Sequence, residues 1–171
     1  MRLSELSYRE VGMTLTNRPL PDGYRHLRYR TRLGSGPEVF AAAAEAVLTW
    51  RMHRAIGVEV TASEDRASVG VRVSIRLGCG RLALHAPCVV VGTVDEPILR
   101  GFAYGTQDGH PERGEEAFLV ELTPDSQVWF TVTAFSRPGR WYTRATARLV
   151  PVFQHLYARR CGQVLRALAV G

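Results

Sequence analysis

The hydrophobic pattern of the chain changes period twice. Leu27, Tyr29, Thr31 and Leu33 alternate with Arg28, Arg30 and Arg32, the two-residue repeat of a strand with one wet face. Phe40, Ala44, Val47 and Leu48 then recur at helical spacing over residues 39–50, and a second short turn carrying Arg51, Met52, His53 and Arg54 ends at Gly57. Ser35, with Glu38 three residues on, predicts a capping box at the first helix start. After Gly57 the period returns to two. Val69, Val71, Val73, Ile75 and Leu77 alternate with small or polar residues, and five more extended segments are predicted at residues 58–62, 81–95, 99–106, 115–123 and 127–136. Gly78-Cys79-Gly80, Glu96-Pro97, Asp108-Gly109 and Pro124-Asp125-Ser126 supply the turns, and connections this short join antiparallel neighbours.

The last segment reads as a helix from Ser136, as N-cap, to about Ala169. Trp141, Ala145, Leu149, Val152, Phe153, Leu156, Tyr157, Cys161, Val164 and Leu168 form its apolar stripe, Arg140, Arg144 and Arg148 its wet side, and Pro151 predicts a kink. One strand, two short helices, six strands and one long amphipathic helix define an α+β fold with few packing solutions. Only the terminal helix is long enough to cover the apolar face of the sheet. A strongly twisted seven-stranded sheet around that helix leaves a cavity, widest where the short helices meet the sheet rim.

At 171 residues and 46% hydrophobic composition the chain is expected to form one domain, with residues 1–22 as a turn-rich lead-in. No run approaches a membrane span. Acids stand where a secretion signal would have its apolar segment, so a cytoplasmic protein is expected. Cys79, Cys88 and Cys161 make neither a disulfide framework nor a zinc knuckle. The formal charge is +6 and all 22 basic residues are arginine. No aromatic residues interleave with Arg28, Arg30 and Arg32 or with Arg140, Arg144 and Arg148 in a way that would stack bases, so these read as solvated faces rather than a nucleic-acid surface.

The chemistry concentrates near the turn after Thr106. His110, Glu112, Glu115 and Glu116 bring an imidazole and several carboxylates to the sheet rim, where an apolar surrounding raises a carboxyl pKa toward the range of a general acid. Glu115 and Glu116 are neighbours in a strand, so only one of them faces the cavity, and the pattern leaves open which. Tyr104 is a candidate hydroxyl donor or weak acid, with Thr106 on the same strand face. Ser136 and Arg137 are candidates for an anionic group at the helix start, and Arg51 and His53 for closing over the sheet. No nucleophile elbow, dinucleotide fingerprint or phosphate loop is present, and no cofactor or metal is indicated.

Three blocks carry a resemblance: Leu48-Thr49-Trp50-Arg51-Met52-His53-Arg54, Gly101-Phe102-Ala103-Tyr104-Gly105-Thr106 with the Gly109-to-Phe118 run after it, and Val128-Trp129-Phe130 through Pro138. In order along the chain they resemble the domain-of-unknown-function family nineteen-ninety, which looks like a member of the helix-grip superfamily of START, pollen-allergen-like and polyketide cyclase proteins. The family carries no established activity. The resemblance implies a helix-grip fold and a ligand cavity, which Trp50, Phe118 and Phe130 are expected to help wall. Gln107-Asp108 and Cys161 depart from the family pattern. Two functions follow: a cyclase-type enzyme using His110, Glu115, Glu116 and Tyr104 for ring closure, dehydration or ketal formation on a polyketide-like substrate, or a carrier of a hydrophobic small molecule or lipid. The oligomeric state stays open, a homodimer included.

Overall fold

The computed structural model describes residues 6–77, 84–139 and 150–170. The turn with Cys79, and Arg140, Trp141, Arg144, Ala145, Arg148 and Leu149 from the expected last helix, lie outside the described residues. In chain order the elements are β1 (Arg25–Ser35), α1 (Pro37–Leu48), α2 (Arg51–Ala55), β2 (Glu59–Ala62), β3 (Arg72–Leu77), β4 (Leu84–Asp95), β5 (Leu99–Thr106), β6 (Glu112–Leu122), β7 (Gln127–Pro138) and α3 (Val150–Val170).

The seven strands form one antiparallel sheet in the order β1-β7-β6-β5-β4-β3-β2. Strands β2 to β7 pair in sequence order as a meander. The two helices inserted after β1 separate it from β2, and it closes the opposite edge against β7, from Arg25 beside Ser136 to Ser35 beside Gln127. Helix α3 packs on α1 and β1. The core between helices and sheet includes Phe40, Val47, Trp50, Met52, Phe102, Phe118, Phe130 and Leu165.

Three local expectations are corrected. Ser35 does not cap α1: it ends β1 in register with Gln127, and Gly36 takes the cap position at φ +92°, with Pro37 opening the helix. Ser136 is a strand residue, because β7 continues in register with β6 as far as Pro138. The buried face of α3 is Ala158, Cys161, Gly162 and Leu165, while Val152, Phe153 and Leu156 are exposed. Close approach requires small side chains there. A Cβ on Gly162 would lie 2.7 Å from Thr31 Cγ2, inside contact distance.

The first described residues do more than lead in. Tyr8 and Leu20 bury against Phe135 in a second, smaller cluster, with Leu6, Val11, Met13 and Tyr24 around it. The rings of Tyr8 and Tyr24 meet Phe135 edge-on at 5.6 and 5.0 Å. A short 3-10 turn, Met13–Leu15, lies against β5, β6 and β7. This strap covers the side of the sheet away from α1 and α3.

Candidate functional site

A cavity of about 580 Å³ opens among β3 to β7, the β5–β6 turn and α3. Its wall is largely apolar, with Ile75, Ala86, Ala134, Val150 and Phe153 among its members. Two groups of polar side chains stand out in it. One is the pair Tyr104 and Glu116, which the β5–β6 register sets directly opposite each other. The other is the group His110, Glu112, Ser136 and Gln154.

Glu116 alternates with Gly114 and Phe118 onto the helix-facing side of β6, which is why its side chain points into the cavity. Tyr104 Oη donates a 2.9 Å hydrogen bond to Glu116 Oε2. Burial pushes the Glu116 carboxyl up to about 7 against the opposing effect of that bond. Cys88 on β4 and Tyr157 and Cys161 on α3 also feel the Glu116 charge, and burial drives each of them, like Tyr104, far above its ordinary pKa. Glu116 is therefore the group of this set that titrates near neutrality. The Tyr157 hydroxyl is buried beside Tyr104 and makes no hydrogen bond of acceptable geometry.

Glu115 borders the same cavity along the strand, but its carboxylate lies on the strap side. It accepts from Tyr8 Oη at 2.7 Å, from the Gly12 amide at 2.7 Å, and from the amide and hydroxyl of Thr14 at 2.9 and 2.5 Å. Four donors saturate it. Glu112 receives Arg25 Nη2 at 2.8 Å, an ion pair that opposes the upward pull of burial on its carboxyl. His110 Nδ1 sits 2.7 Å from the Glu112 carbonyl oxygen and accepts from the Glu112 amide at 2.9 Å. Burial holds the imidazole down to about 4, so it is neutral at physiological pH.

The remaining candidates separate. Thr106 lines the cavity, accepting from the Gly114 amide at 3.0 Å and lying 2.6 Å from the Ser7 hydroxyl. Ser136 lines it too and accepts from Gln154 Nε2 at 2.9 Å. Arg137 is exposed and stacks on the Tyr24 ring at 4.9 Å, and Arg51 is exposed on α2. Trp50, Phe118 and Phe130 are fully buried core residues that do not line the cavity. His53 is sealed among Trp50, Phe102, Tyr104 and Phe118, both ring nitrogens unpartnered, and burial pushes it down to about 3. Trp50 holds a left-handed φ of +63° and donates its indole N–H to the Glu64 carbonyl at 3.1 Å, which fixes the turn presenting His53. Tyr157 and Gln154 had no individual signal in the sequence: only the docking of α3 brings them to the cavity.

A curved antiparallel sheet gripping a C-terminal helix is the helix-grip fold. The chain belongs to the domain of unknown function family DUF1990, whose pattern it matches over residues 7–164. A UPF0548 protein of Deinococcus radiodurans is 33% identical over 169 residues, covering 93% of this chain and 85% of that protein. Among solved structures, a truncated norcoclaurine synthase from Thalictrum flavum is similar with a TM-score of 0.63 at 9% identity, covering 90% of this chain and 98% of the synthase. The major latex-like protein 151 of Panax ginseng is similar at 0.55 and 16% identity, covering 86% of this chain and 99% of that one. At these identities the likeness is one of fold. No helix among the described residues is long and apolar enough to cross a membrane.

Proposed function

We propose that this protein takes a small, largely apolar molecule into the cavity and that Glu116 acts on it as a general acid–base group. Ring closure, dehydration or ketal formation on a polyketide-like substrate is the chemistry that suits one such group in an apolar chamber. The observation that carries this reading is the state of the Glu116 carboxyl: half-buried, facing the cavity, hydrogen-bonded by Tyr104 and paired with no cation among the described residues. A group held at about 7 is both a usable proton donor and a usable acceptor at physiological pH. Tyr104 orients the carboxyl, and the Tyr157 hydroxyl beside it, which makes no well-aligned hydrogen bond of its own, is within the cavity lining to meet an oxygen or nitrogen of the substrate. The walls fold and hold a flexible molecule, and such positioning supplies about 7–11 kcal/mol of barrier lowering. His110, neutral at the other polar group, is placed to orient the far end of the substrate rather than to bring charge to it. Glu115 is assigned to the strap.

A panel of polyketide-like and lipid molecules, screened by melting temperature and then by product analysis, tests the reading. Uncharged ligands that raise the melting temperature of the native protein should do so in Glu116→Gln, and product formation should be lost in that variant. Undiminished turnover in Glu116→Gln, or a panel in which nothing raises the melting temperature, overturns it. A ligand released chemically unchanged by the native protein makes it a carrier.

A further inference from the structure

The chain is arginine-rich, with 22 basic against 16 acidic residues, yet the described wall of the cavity holds three glutamates and no arginine. Two of those acids already have partners: Glu115 is saturated by four donors of the strap, and Glu112 is neutralised through Oε2 by Arg25, its Oε1 staying buried without a hydrogen bond. Glu116 is left with the single hydrogen bond from Tyr104. Close by, Tyr157 Oη is buried beside Tyr104 and Cys161 without a well-aligned hydrogen bond to either. We infer that the molecule recognised here is an apolar amine, whose ammonium head sits between Glu116 and Tyr157, and that carboxylates such as fatty acids are excluded. The inference rests on the cavity reading above and names the substrate class for it.

The electrostatics select this class. Tyr104, Tyr157, Cys88 and Cys161, the ionisable groups facing Glu116 from β5, α3 and β4, all remain protonated, and His110 is uncharged at neutral pH. A ligand carboxylate would meet Glu116 as a like charge in a weakly screened interior, with no cation among the described lining residues to compensate. An ammonium donates to the carboxylate and to the tyrosine oxygen at once, a charge-assisted pairing that replaces part of the hydration both ions lose. A neutral alcohol falls between the two.

Phenylbutylamine, phenylbutanol and phenylbutyrate share one apolar body and differ in the head, so titrating the full chain with each by calorimetry isolates the charge. At about pH 8.5 the amine should bind at least about tenfold more tightly than the carboxylate, and its advantage should shrink at about pH 5.5 as Glu116 takes up its proton. Glu116→Gln should abolish the amine preference and leave phenylbutanol binding intact. Should that variant not fold, the pH dependence of the native protein decides alone. Phenylbutyrate binding as tightly as the amine, or a preference without pH dependence, overturns the inference and leaves the cavity reading standing. Failure of all three to bind overturns both.

Discussion

Glu115 and Glu116 are joined by a peptide bond and face opposite sides of the sheet, one bound into the N-terminal strap by four hydrogen bonds, the other in the cavity with one. Strand alternation makes this division unavoidable. It gives adjacent, chemically identical side chains separate roles: Glu115 is a structural acceptor and Glu116 a titrating group.

Replacing Glu115 by Ala leaves two buried hydroxyls and two strap amides without their acceptor. Since each unsatisfied donor costs on the order of 1–3 kcal/mol, a loss of about 3 kcal/mol or more in urea unfolding is expected. Tyr8→Phe removes one of the four donors and should cost only about 1 kcal/mol. Amide exchange should speed up over the strap in Glu115→Ala while β3 and β4 stay protected. Equal losses for the two variants would contradict the saturation of Glu115.

Glu116 makes the opposite contribution to stability. Its folded pKa lies above the unfolded value, so between about 4.5 and about 7 the native state holds a proton that the unfolded chain has released. Stability contributed by this site is therefore greatest at low pH and declines as the pH rises through that window. Glu116→Gln, which keeps an acceptor for Tyr104, should raise the melting temperature at pH above the window and leave it unchanged below, with a difference of up to about 3 kcal/mol. A variant less stable than the native protein at high pH would show that the carboxylate is compensated.

His53 sets the acid limb. Its ring is neutral in the fold and protonates at about 3, against an ordinary value of 6.5 in the unfolded chain. Here the site is fully favourable above the unfolded value, and stability is lost as the pH falls toward 3. His110, held at about 4, adds to the same slope. Since neither His53 nitrogen has a partner, His53→Leu should flatten the fall in urea midpoint between neutral and acid pH without loss at neutrality. A His53→Leu protein as acid-sensitive as the native one would remove His53 from this account.

Much of this fold was legible as periodicity. Seven strands follow from alternation, and residues 99–106 and 127–136 fall almost on β5 and β7. The face of α3 was not, because a hydrophobic stripe is drawn by its large residues, whereas the helix approaches β1 through Ala158, Cys161 and Gly162. Ser136 carried a cap signal, but the β6–β7 ladder outweighs a local preference for a helix start. For the site, alternation separates Glu115 from Glu116 without saying which is inside. That is decided by contacts about a hundred positions away, at Tyr8 and Thr14, which no local pattern reveals. Tyr157 next to Tyr104 is a tertiary event of the same kind.

The strap also explains a glycine in the middle of the sheet. Gly105 lies opposite Glu115 on β5, and a Cβ there would fall 2.2 Å from Tyr8 Oη and 2.7 Å from its Cε1. Any side chain must push the ring away and break its bond to Glu115. Gly105→Ala is expected to destabilise the protein by about 1–3 kcal/mol, the usual range for overpacking. Because the clash is with one ring, the effect should largely vanish in a Tyr8→Ala background, a coupling that urea unfolding of the two single variants and the double variant measures directly. Additive losses would mean that strand geometry, rather than the strap, requires this glycine. The same substitution lies on the side away from Glu116, so the affinity of a cavity ligand should change little, and a large change would reveal that the strap and the cavity are energetically coupled.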